Sequence, residues 1–250
     1  MRVDHQVSGR GRPPLAMTLS GPLDGTVPVI LVHGMGGDRS TWRPLARELR
    51  GRGRTVASFD LRGHGLTGRS DSYLLDDFRD DLGAVVDHLG AHKVDLVGHS
   101  LGAHTALRYA MAQPDRVRRM VLEEVPPMPR DDHDLAEAIA PSATLGERIR
   151  GVGALVRNPG PFLRFDRALG GPVTDAFAVV EPDWWCALSR VTAPTLVVSG
   201  GQRSFLPPRH LRDVAYALPA GDFMTIDAGH SVHRDRPREF VGATVAHLDV

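Results

Sequence analysis

The sequence predicts an α/β domain: a mostly parallel central sheet with helices on both faces and a small helical cap. Three observations predict it. Short apolar runs alternate with longer amphipathic ones, glycine-rich turns bound them, and 250 residues at 42% hydrophobic content suit one large core. Charged residues make up 24%, which excludes disorder, collagen and coiled coil. Lys plus Arg number 30 and Asp plus Glu number 30, so no net field draws a polyanion, and nucleic acid is not an expected partner. Lys93 is the only lysine, a bias of composition rather than a phosphate-binding device.

The strand candidates are Val27 to Val32, Thr55 to Phe59, Val94 to Val97, Met120 to Glu123, Thr195 to Ser199 and Phe223 to Ile226. Between them, Trp42 to Leu49, Leu74 to Leu89, Leu101 to Ala112, His210 to Leu218 and Pro237 to Leu248 carry apolar residues at three- and four-residue intervals, the period of a helix face. The alternation stops from Pro126 to Pro194, a stretch rich in proline and glycine with short amphipathic pieces at Leu135 to Ile139 and Leu145 to Leu155. Trp184, Trp185, Phe162, Phe165 and Phe177 give it apolar surface to pack, so it is expected to fold as a lid rather than hang as a linker. The expected division is a core of 1–125 and 191–250 with a cap of 126–190.

Cys186 is the single cysteine, so no internal disulfide or thiol cage forms. The first residues, MRVDHQVSGRGRPP, lack the apolar stretch of a secretory signal, and no later run suits a bilayer. The expectation is a cytoplasmic protein with no membrane partner.

Chemistry concentrates at Gly98-His99-Ser100-Leu101-Gly102, a G-x-S-x-G between a strand and a helix. In that context the turn holds the serine in a strained conformation at the sheet's carboxyl edge, above helix amides that favour developing negative charge. Alone, the same pattern also describes a capping serine between two packing glycines. Upstream, Val29-Ile30-Leu31-Val32 runs into His33-Gly34-Met35-Gly36-Gly37, a turn able to aim the Met35 amide at an oxyanion beside that of Leu101. His33 shapes this turn. A dinucleotide reading of Gly34-x-Gly36 fails because the third glycine of G-x-G-x-x-G falls at Arg39, and no Walker sequence is present. Late in the chain, Ala228-Gly229-His230 puts a histidine on a loop, suited to move a proton at neutral pH; His233 is close enough to be confused with it.

Val32-His33-Gly34 with Trp42, Asp60-Leu61-Arg62-Gly63-His64-Gly65, the turn at Ser100, Pro194-Thr195-Leu196-Val197-Val198 and Gly229-His230 together resemble the α/β-hydrolase superfamily. The resemblance covers nearly the whole chain and implies the α/β-hydrolase fold, with the segment after Pro126 as the variable cap. It departs at the acid: Arg203 occupies the slot after the Thr195 to Ser199 strand where most relatives carry aspartate. Some relatives carry the acid after the preceding strand, where this chain has Glu123 and Glu124, and alternation along a strand sends only one of them toward His230. Glu124, at the strand's end, is the preferred one; Asp227 is too near His230 in sequence.

The resemblance implies a serine hydrolase with catalytic Ser100, His230 and Glu124, an oxyanion hole of Met35 and Leu101, and a substrate pocket of His33, Gly34, Trp42, His99 and Trp184. No metal or cofactor is required. The expected partner is a small-molecule substrate, a small or medium apolar ester, thioester or lactone; monomer and homodimer both stay open. A cofactor-free cyclase or lyase and a non-catalytic binding protein are the alternatives. Dehalogenation is set aside because its elbow residue is aspartate rather than Ser100.

Overall fold

The computed structural model describes residues 2–9, 11–22, 25–137 and 159–249. Their strands are β1 (Arg2–Val7), β2 (Leu15–Ser20), β3 (Val29–Val32), β4 (Val56–Phe59), β5 (Val94–His99), β6 (Val117–Glu123), β7 (Thr195–Ser199) and β8 (Gly221–Thr225). They form one sheet of order β1-β2-β4-β3-β5-β6-β7-β8. From β4 to β8 every neighbouring pair is parallel, whereas β1 and β2 run antiparallel. The α/β-hydrolase fold expected from the sequence is therefore present, with an antiparallel edge that the strand candidates lacked. β1 escaped because it lies at the edge, where His5 and Gln6 interrupt any apolar run.

Helices α1 (Arg43–Gly51), α2 (Leu75–His88) and α3 (Leu101–Ala112) connect the first half of the sheet. Then come α4 (Asp132–Ala136), α5 (Gly160–Leu163), α6 (Gly170–Phe177), α7 (Pro182–Ala187), α8 (Pro208–Ala217), α9 (Val232–Asp235) and α10 (Pro237–Leu248). The central strands β3, β5 and β7 are buried throughout, as strands covered on both faces must be. Successive residues supply opposite layers. Leu96 and Leu122 join the core with α2 and α3, while Val97 and Val121 join Trp42, Leu45 and Phe240 on the side of α1 and α10.

Described residues of the segment 126–190 pack against the core. Asp166 accepts a hydrogen bond of 2.6 Å from the Tyr73 hydroxyl, and Glu181 pairs with Arg108 at 2.7 Å. Leu169, Val173, Trp184 and Leu188 are buried in the same core as α3. The piece expected at Leu135 to Ile139 is helical only to Ala136, and Ile139 and the whole of Leu145 to Leu155 lie outside the described residues. Among the described residues no helix is long and apolar enough to cross a membrane.

Candidate active site

β5 ends at His99, and Ser100 then takes a left-handed backbone, φ 52°, before α3 begins at Leu101. Such a conformation strains a residue with a side chain and persists only when its surroundings hold it. They do: the Ser100 amide donates to the Glu123 carbonyl at 2.9 Å, and its carbonyl accepts from the His104 amide at 3.0 Å. The flanking glycines allow the tight turn. A Cβ on Gly102 would lie 2.3 Å from the Val32 carbonyl oxygen, and one on Gly98 would lie 2.6 Å from the Ala103 Cα.

Ser100 Oγ lies 3.0 Å from His230 Nε2, and His230 Nδ1 lies 3.1 Å from Glu124 Oε2. Glu124 also sits in a left-handed conformation, φ 51°, just past β6, and is fully buried. It accepts hydrogen bonds from the Gly200 amide and the Ser204 hydroxyl. A carboxylate so bound has little freedom to turn away from the imidazole, which is held in the tautomer with its proton on Nδ1. Nothing in the sequence neighbourhood of Ser204 marks it as a ligand of Glu124. Arg203, in the family's usual acid slot, instead pairs with Asp227 at 3.3 Å near the surface.

Two buried histidines build the glycine-rich loop. Burial holds His33 down to about 4 and His64 down to about 3, so both are neutral at pH 7. Their Nδ1 atoms face the carbonyls of Gly34 and Arg62, while Nε2 of His33 accepts from the Leu61 amide and Nε2 of His64 accepts from the Gly36 amide, each at 3.0 Å. The Gly37 amide donates to the Gly34 carbonyl. The amides of Gly36 and Gly37, the two residues that follow Met35, are thereby both engaged. Leu101, as the first residue of a helix, has an amide with no partner within its own helix.

A cavity of about 770 Å³ opens here, lined by His33, Gly34, Met35, His99 and His230 among others. Trp42 and Trp184, expected in the pocket, do not line it. Trp42 is 1% exposed and packs into the core against Phe240 and His233, because the turn that carries it leads into α1. Trp184 is 2% exposed and stacks on His104 of α3. The lining of the cavity among the described residues mixes four arginines, Arg43, Arg203, Arg234 and Arg236, with Met35, Pro161 and Ala228. The apolar aromatics expected around the substrate are spent on the core.

A second acid-imidazole pair lies beside the first and was missed. His233 Nδ1 is 2.7 Å from Glu123 Oε2, and His233 Nε2 is 2.6 Å from Thr41 Oγ1. The signal was present as two adjacent glutamates facing two loop histidines three residues apart. His99, Glu123 and His233 are also close enough together for a metal ion, but both ring nitrogens of His233 are already engaged by Glu123 and Thr41. His99 is pushed well below the usual histidine range, first by burial and then by the neighbouring histidines, and its Nε2 contacts the His230 carbonyl at 2.7 Å.

Comparison with known proteins agrees with the fold. The family model for the alpha/beta hydrolase fold matches residues 27–147. The chain is 26% identical over 261 residues to the sn-1-specific diacylglycerol lipase ABHD11 of Mus musculus, covering 90% of this chain and 82% of that protein. The enol-lactonase of Burkholderia xenovorans LB400 superposes with a TM-score of 0.79 at 21% identity, covering 98% of this chain and all of that one, 100%. A carboxylesterase structure from Nitrososphaera gargenis gives a TM-score of 0.80 at 18% identity, with 98% of each chain covered.

Proposed function

We propose, from the premise that the chain belongs to the α/β-hydrolase superfamily, that it is a serine hydrolase cleaving esters, thioesters or lactones of small or medium size through an acyl-enzyme on Ser100. The observation that carries the reading is the continuous series Ser100 Oγ, His230, Glu124, with contacts of 3.0 and 3.1 Å. Hydrolases of ester-type substrates among the relatives support the coarser statement.

In this reading Ser100 Oγ attacks the carbonyl carbon while His230 Nε2 takes its proton. Glu124 keeps the other ring proton on Nδ1 and stabilises the imidazolium. The Leu101 and Met35 amides receive the oxyanion, each donor contributing roughly 3 to 4 kcal/mol of barrier lowering. Collapse expels the alcohol or thiol with the proton returned by His230, and water then repeats the sequence on the acyl-serine. The described residues of 126–190 act as the cap, and the arginines in the cavity lining accommodate a polar or charged group near the ester beside the apolar wall of Met35, Pro161 and Ala228.

A series of p-nitrophenyl esters of increasing chain length tests it. Turnover with saturable kinetics is expected for the native chain, falling to background in Ser100→Ala. Turnover retained in Ser100→Ala contradicts the acyl-enzyme.

A further inference from the structure

The cavity lined by Met35, His99 and His230 shares Asp38, Ser40 and Arg43 with a second groove of about 650 Å³. That groove runs along α1, where Arg43, Arg47 and Arg50 recur at spacings of four and three and so occupy one helix face. Arg164, at the end of α5, and Arg39 line it too. Arg39 is neutralised by Asp60. Arg52, Arg54, Arg62 and Arg108 likewise have carboxylate partners, but among the described residues none pairs with Arg43, Arg47, Arg50 or Arg164. In a chain of zero net charge, this is a local surplus of cations at the mouth of the site.

We propose that the groove binds the phosphate-bearing leaving group of a coenzyme A-type thioester whose acyl carbonyl lies against Ser100. The proposal rests on the serine-hydrolase reading of that site. Guanidinium forks match phosphate oxygens, and seven residues of helix rise about 10 Å, so an extended tail with several phosphates meets more than one arginine at once. The lining favours such a tail over a lipid. Ala46 and Leu66 are its only aliphatic side chains among the described residues, leaving an acyl chain no wall to pack on. In the reaction the Ser100 Oγ–C bond forms as the C–S bond breaks, and His230 returns the proton to the thiolate. Water then splits the acyl-serine, so one water is consumed and a carboxylic acid and a free thiol are released.

The test compares one butyryl group carried on coenzyme A, on N-acetylcysteamine, on p-nitrophenol and in dibutyryl phosphatidic acid, with the whole chain, at low and high ionic strength. The KM for butyryl-coenzyme A is expected to be about tenfold below that of the neutral thioester, with the advantage shrinking as salt rises. The exposed double substitution Arg47→Glu with Arg50→Glu raises that KM about tenfold, and the ratio of kcat/KM between the two thioesters falls toward one. Equal KM values for the two thioesters overturn the proposal, as does an equal effect of the double variant on both. Preference for the phosphatidic acid overturns the nucleotide assignment. Hydrolysis of the nitrophenyl ester without any coenzyme A advantage defeats the groove alone; inertness toward all four substrates defeats the serine-hydrolase reading itself.

Discussion

The molecule carries two sets of hydroxyl, imidazole and carboxylate side by side. Ser100, His230 and Glu124 form one, and Thr41, His233 and Glu123 the other, with contacts of 3.0 and 3.1 Å in the first and 2.6 and 2.7 Å in the second. By distance alone the second is the tighter. The surroundings separate them. Ser100 sits on a left-handed turn at the start of a twelve-residue helix, α3, whereas Thr41 belongs to a single helical turn, Arg39–Trp42, that is followed by more helix. The side chain of His230 is 18% exposed to the cavity and that of His233 only 5%, covered by Trp42 at a ring distance of 4.4 Å. In the proposed reading, an aligned acid and imidazole make a reactive hydroxyl only where the turn presents it and amides await the oxyanion. The second set reads as a clamp: Glu123 also accepts from the His233 amide at 3.0 Å, tying the loop that carries His230 to β6 and, through Thr41, to the segment leaving the glycine-rich loop.

Substitutions should divide the two sets. Ser100→Ala is expected to lower kcat by about 10⁴-fold or more with the melting temperature preserved, measured by ester turnover beside calorimetry. Glu124→Gln should cost about 10³- to 10⁴-fold in kcat, and combined with Ser100→Ala it should add almost nothing, because the members act as one unit. Full additivity in that double variant breaks the comparison.

The neutral framework histidines give a pH dependence. His33, His64 and His104 are held by burial to about 4, 3 and 3, below the unfolded value near ~6.5. Above that pH neither state protonates them, and the stability is fully present. As pH falls from about 6.5 toward 4 the unfolded chain takes up protons that the native chain refuses, so stability drops by up to about 1.4 kcal/mol per pH unit for each histidine. Denaturant titrations across this range check the sign; stability that rises on acidification contradicts the neutral assignments.

Smaller effects belong to the clamp. Glu123→Gln should destabilise the fold by about 1–3 kcal/mol while kcat changes by less than about tenfold. Thr41→Val removes one hydrogen bond and should cost about 1 kcal/mol, with the ester kinetics close to native. A loss in Glu123→Gln as large as that in Glu124→Gln would reverse the roles of the two sets.

Much of this was legible in the sequence because parallel strands and amphipathic helices carry strong periodic signals. The limits of β7, α3 and α10 were readable to the residue, whereas strand alternation said only that one of Glu123 and Glu124 turns toward His230, and the preference for Glu124 came from the family resemblance. What was not legible depended on contacts distant in the chain. Ser204 reaches Glu124 across 80 positions, and Trp42 looked like a pocket residue because only the packing of α1 against α10 shows that it faces the core. The arginine surplus on α1 was hidden by the neutral total, since a sum over the chain says nothing about which arginines lack partners.

Mass spectrometry of the folded chain after treatment with a fluorophosphonate bears most directly on the central claim. One adduct is predicted, on the peptide carrying Ser100, with none formed in Ser100→Ala and only slow formation in Glu124→Gln. An adduct on Thr41, or a folded chain left unmodified, contradicts it.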